Sequence, residues 1–119
     1  MELLNCEELI IKKSRFIGLY YFVSTIDEVT NILTILKKEH KKARHFPYAY
    51  KLGNLEKKND DKEPFNTAGN PIYNIIVKNS LDNVLIVVIR YYGGVKLGAG
   101  GLARAYGAAA RMATKNQIS

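Results

Sequence analysis

A chain of 119 residues with 47% apolar side chains suffices for one domain with a real core. Its longest apolar run, residues 84–89, is far short of the ~20 residues of a membrane-spanning helix, and residues 1–8, with Glu2, Glu7 and Glu8 and no basic start before an apolar stretch, are not expected to be a signal peptide. A lone Cys6 excludes an internal disulfide and a cysteine-based metal site; it fits a reducing compartment, so the cytoplasm is expected.

In chain order, residues 9–11 and 16–23 are rich in β-branched and aromatic side chains and predict two strands, with a polar hairpin turn over 12–15. Thr25 followed by Glu28 forms a capping box, and Ile26, Val29, Leu33 and Leu36 recur at helical spacing. A helix over 26–42 follows, its end carrying Lys37, Lys38, Lys41 and Lys42, which suit the negative end of the helix dipole. Alternating aromatics predict a strand over 45–52. Residues 53–70 contain few apolar side chains and read as a long loop, of the kind that is usually functional or disordered. Asn70-Pro71 opens a shorter helix with Ile72, Ile75 and Ile76 on one face. Residues 84–92 predict a strand buried on both faces, ended by Gly93-Gly94, and an Ala-rich helix spans about 100–115. The order β-β-α-β-α-β-α predicts an α+β two-layer sandwich, one sheet with helices mainly on one face.

The formal charge is +7, from 18 basic and 11 acidic residues. Beyond residue 64 the only acid is Asp82, against Lys78, Arg90, Lys96, Arg104, Arg111 and Lys115. This balance favours polyanionic partners, although a lysine-rich solvated surface has the same composition.

Three constellations are candidates for function. First, Gly93, Gly94, Gly98, Gly100 and Gly101 follow a buried strand and precede a helix. Glycine lets a ligand approach the backbone, and a helix N-terminus offers unpaired N–H groups to an anion. Arg90 and Lys96 flank this junction, while Arg104, Ala108, Arg111 and Lys115 form one stripe along the helix. The bland alternative is a tight turn with close packing. Gly98-x-Gly100-x-x-Ala103 formally matches a dinucleotide fingerprint, but no acid follows to hold a ribose, and the P-loop pattern is absent. Second, Asp60, Asp61 and Glu63, with Thr67 and Gly69 after them, form an acidic block of a kind that chelates Mg²⁺ or acts as acid and base, but is more often a solvated loop. Third, His45 stands among Phe46, Tyr48 and Tyr50, a setting more typical of a hydrogen-bonded core histidine than of a catalyst. No nucleophile signature is present, and no catalytic residue, metal site or cofactor is assigned.

The block Arg90-Tyr91-Tyr92-Gly93-Gly94-Val95-Lys96-Leu97-Gly98-Ala99-Gly100-Gly101-Leu102-Ala103-Arg104-Ala105-Tyr106 resembles the hallmark of the YigZ/Impact family. Lys13-Ser14-Arg15-Phe16-Ile17, Ala43-Arg44-His45, Tyr48-Ala49-Tyr50 and Asp60-Asp61-x-Glu63-Pro64 match its other blocks in order. The resemblance implies the fold of the second domain of a small-subunit ribosomal protein. It also implies a link to translation, since the eukaryotic relative regulates translation by competing for the activator of an amino-acid-starvation kinase. Two departures stand out. Lys62 replaces the glycine of the family's D-D-G-E-P, and residues 1–119 correspond to an Impact N-terminal-type domain without the ferredoxin-like domain that usually follows.

The resulting expectation is a translation-associated binding module contacting RNA, the ribosome or an acidic protein. Its expected contact set is Arg90, Tyr91, Gly93, Gly94, Lys96, Gly98, Gly100, Gly101 and Arg104, with His45, Asp60, Asp61, Glu63, Thr67 and Gly69 as a second block. The alternative is an enzyme acting on a small phosphorylated substrate, its carboxylates facing the glycine loop. In a third reading both blocks are structural, the carboxylates capping the glycine turn and pairing with Arg90.

Overall fold

The computed structural model describes residues 1–115. Five strands and three helices follow the order β1 (Glu2–Ile11), β2 (Ser14–Phe22), α1 (Ile26–Glu39), β3 (Tyr48–Leu52), β4 (Leu55–Asn59), α2 (Gly69–Lys78), β5 (Val84–Tyr91) and α3 (Gly98–Thr114). All pairings are antiparallel, in the spatial order β1-β2-β5-β3-β4. The α+β class expected from the sequence holds.

Strand β5 lies at the centre of the sheet, which explains its unbroken apolar run: residues 84–90 are all buried. Its side chains alternate between two cores, as the period of a strand requires. Val84, Ile86 and Val88 join Phe16, Tyr20, Ile72, Ile76 and the α3 alanines under α2 and α3. Leu85, Val87 and Ile89 join Val29, Ile32 and Leu36 beneath α1. Two helices therefore cover one face and α1 covers the other. Helix α3 lies close on β2: a Cβ on Gly18 would come within 2.6 Å of the Ala109 carbonyl oxygen.

Residues 53–70, expected to be one loop, contain β4. The strand is an edge strand whose residues 55–58 are exposed, so its Leu-Glu-Lys-Lys-Asn sequence shows no apolar alternation. It forms through backbone pairing with β3 across a two-residue loop, Gly53-Asn54, with Gly53 at φ 62°. Helix α1 ends at Glu39, three residues earlier than expected, so Lys41 and Lys42 lie beyond it. Its capping box forms: Thr25 Oγ1 accepts from the Glu28 N–H at 3.2 Å, and Glu28 Oε1 accepts from the Ser24 N–H at 2.6 Å. The turn between β1 and β2 is tighter than the sequence suggests, with Lys12 and Lys13 both at positive φ. No helix among the described residues is long and apolar enough to cross a membrane.

Candidate functional site

The even-numbered residues of β5 face α2 and α3, and Arg90 continues that parity at the end of the strand. Its guanidinium is thereby carried into the interior, 5% exposed, over the Phe16 ring. A charge in that position requires partners. Arg90 Nη1 donates to Glu63 Oε2 at 2.8 Å, and Nη2 lies 3.4 Å from Ser14 Oγ. The Tyr106 hydroxyl from α3 donates to the same Glu63 Oε2. Burial, reinforced by the neighbouring Glu63 carboxylate, pushes this hydroxyl far above the usual tyrosine range, so it remains a donor.

His45 completes the cluster from the loop before β3. Its Nδ1 lies 2.8 Å from the Asp61 carbonyl oxygen, which only accepts, so Nδ1 carries the proton. Nε2 is then turned toward Glu63 Oε1 at 3.5 Å. The loop is tied to β5 by the backbone: the Arg44 N–H donates to the Arg90 carbonyl at 2.8 Å, and the Arg90 N–H donates to the His45 carbonyl at 2.9 Å.

Above this cluster opens a pocket of about 400 Å³. Arg44, Arg90 and Lys96 supply its positive charge and Glu63 its negative charge; Pro64, Tyr92, Leu97, Gly98, Ala99 and Leu102 complete it. Arg44 and Arg90 both lie over the Tyr92 ring, at 5.0 and 5.4 Å from its centre. Gly98 starts α3 at φ +73°, a conformation natural to glycine. The preceding residue, Leu97, provides no side-chain cap, and no acid occupies the first turn. The first amides of α3 therefore lack the usual side-chain acceptors. Among the described residues, Arg90 Nε–H also finds no acceptor.

The structure gathers only part of what the sequence grouped. Arg90, Lys96, Gly98 and Glu63 line the pocket. Tyr91 does not: strand alternation turns it to the α1 face, where its hydroxyl lies 2.6 Å from His40 Nδ1. Gly93 is pressed against the β1–β2 turn, where a Cβ would come within 2.1 Å of the Lys13 carbonyl carbon, and its N–H lies 3.2 Å from Ser14 Oγ. Gly94, at φ +87°, shapes the exposed turn, and Gly100 is exposed on the first turn of α3. Arg104 and Gly101 line an adjoining groove of about 580 Å³ with Lys12, Asn74 and Arg111, Leu97 standing between the two.

The acidic block divides as well. Asp60 caps α2: its Oδ1 accepts from the Ala68 and Gly69 N–H groups at 3.1 and 2.8 Å. Asp61 Oδ2 accepts from the Phe46 N–H at 2.7 Å, and Thr67 Oγ1 donates to the Pro64 carbonyl at 2.6 Å. Of the three acids, Glu63 alone reaches the pocket, where it pairs with Arg90; the glycine turn is held by Ser14 instead of a carboxylate, its Gly93 N–H donating to Ser14 Oγ. Lys62 sits at φ 70° after Asp61 at φ 45°, so the turn retains the left-handed shape that glycine accepts most easily. Sequence reasoning missed Arg44 and Tyr92 as pocket residues. Both belong to recognised blocks, but only the pairing of residues 44–45 with the end of β5 brings them together.

The Impact N-terminal domain profile matches residues 12–114. The chain belongs to the Impact family. It is 47% identical over 103 residues to the IMPACT family member YvyE of Bacillus subtilis (strain 168), covering 84% of this chain and 48% of that protein. It is 34% identical over 110 residues to the IMPACT family member YigZ of Escherichia coli (strain K12), covering 88% and 54%. Against these Impact relatives the chain spans about half their length. Among solved structures it is similar to the crystal structure of a hypothetical protein, with a TM-score of 0.90 and 32% identity, covering 97% of this chain and 58% of that one. It shares its fold with Yih1, described as a two-domain translational regulator, at a TM-score of 0.59 and 20% identity, covering 98% and 47%.

Proposed function

We propose that this Impact domain is a translation-associated binding module that holds phosphate groups of RNA in the pocket at the start of α3. The observation that carries the reading is the uncapped, glycine-rich helix start flanked by Arg44 and Lys96. Helix N-terminal amides with adjoining cations form an anion site by their own dipoles and charges. The description of Yih1 as a translational regulator supports the translational setting, and the basic second half of the chain supports RNA over a neutral partner. An acid–base enzyme receives less support, because Asp60 and Asp61 are engaged as caps and Glu63 is engaged by Arg90 and Tyr106.

The test is binding of ribosomes and single-stranded RNA across a salt series. Replacing both Arg44 and Lys96 by Ala should weaken binding and flatten the logarithmic salt slope by about 1.4, at roughly 0.7 per lost phosphate contact. An unchanged affinity and slope would remove the proposal.

A further inference from the structure

Resting on the reading of the pocket as an anion site, we infer that its specific ligand group is a phosphomonoester, the doubly charged phosphate at the end of an RNA or on a free nucleotide. A phosphodiester within a continuous strand fits it less well. Charge is the first argument. Arg44, Arg90 and Lys96 against Glu63 leave two positive charges in the lining, three minus one. A phosphomonoester carries about −1.5 to −2 at pH 7 and three strong acceptor oxygens, whereas each phosphodiester of a strand carries a single negative charge.

Donor geometry is the second argument. Arg90 is fixed by Glu63 on one nitrogen and approaches Ser14 on another, leaving Nε–H directed to no acceptor among the described residues. A buried donor left in that condition is costly, and on this inference a phosphate oxygen reaches it on binding. The α3 amides and Lys96 supply the donors for the other oxygens. Shape is the third. A pocket of about 400 Å³ falls within the size range of small-ligand sites, and its apolar lining of Pro64, Leu97 and Leu102 suits the carbon framework beside a terminal phosphate.

The experiment is an NMR titration of the protein, following Arg90 Nε–H and the amides of residues 98–101. The additions are inorganic phosphate, a nucleoside 5′-monophosphate, and one short RNA bearing either a 5′-phosphate or a 5′-hydroxyl. The inference expects these signals to move with phosphate and with the nucleotide. It also expects the 5′-phosphorylated RNA to bind about tenfold tighter than its 5′-hydroxyl twin, and Lys96→Ala, a change at an exposed site, to abolish that difference. Equal binding of the two RNAs would overturn the phosphomonoester inference while leaving RNA binding itself in place. Failure of both RNAs to bind while the nucleotide does would overturn RNA as the ligand and leave the anion site, and no response to phosphate, nucleotide or either RNA would overturn the anion-site reading as well.

Discussion

Glu63 is the residue on which the pocket floor depends. It reaches Arg90 and Tyr106 by hydrogen bonds and lies beside His45, in a position 4% exposed. Removing one partner of a buried pair leaves the other charge uncompensated. Glu63→Ala is therefore expected to destabilise the domain by about 3–5 kcal/mol in urea denaturation. Glu63→Gln, which keeps an acceptor for Arg90, should cost less. Lys62 gives the opposite expectation. Left-handed backbone costs a non-glycine residue about 1–2 kcal/mol, partly offset by the entropy glycine loses on folding. Lys62→Gly should accordingly stabilise the domain by about 0.5–1 kcal/mol in the same measurement.

At the scale of elements, the acidic loop serves α2 as much as the pocket. Helix α2 begins after Ala68, which has no capping side chain, and Asp60 from the end of the β3–β4 hairpin takes that role. Asp60→Ala should cost about 0.5–2 kcal/mol, the usual loss for a cap, and should leave the α3 pocket formed. This arrangement also explains what was legible in the sequence. The capping box of α1 and the apolar run of β5 are local signals, and both predicted their elements. Strand β4 carries no such pattern because residues on both its faces are exposed, although Gly-Asn between Leu52 and Leu55 is itself a two-residue hairpin signal. Within the glycine block, Arg90 and Tyr91 are neighbours in sequence on opposite faces of the sheet, a separation that follows once their stretch is placed on a strand. Arg90 and Lys96 belong to one block, but their meeting with Arg44 and Glu63 joins three separate segments, and no local pattern encodes it.

For the molecule as a whole, buried tyrosines set the alkaline limit. Burial raises the Tyr20 and Tyr106 hydroxyls and pushes Tyr21 up to about 12. In the unfolded chain these groups ionise near pH 10, while the folded chain keeps their protons. Their contribution to stability is thus fully present below about pH 10 and is lost as pH rises from there through the folded values, because the unfolded state then binds fewer protons. Denaturation midpoints should fall steeply above about pH 10, and replacing Tyr21 by Phe should make the fall shallower.

Folding and binding place different demands on the start of α3, and one variant separates them. Ala99 lines the pocket in the first turn of the helix, where an acid interacts favourably with the helix dipole by about 0.3–1 kcal/mol. Ala99→Asp, measured for unfolding stability and for single-stranded RNA affinity side by side, tests the central claim most directly. Stability should be equal or higher, while RNA affinity falls at least about tenfold because the new carboxylate occupies the anion position and repels phosphate. A folded Ala99→Asp domain that binds RNA as tightly as the parent would contradict the account.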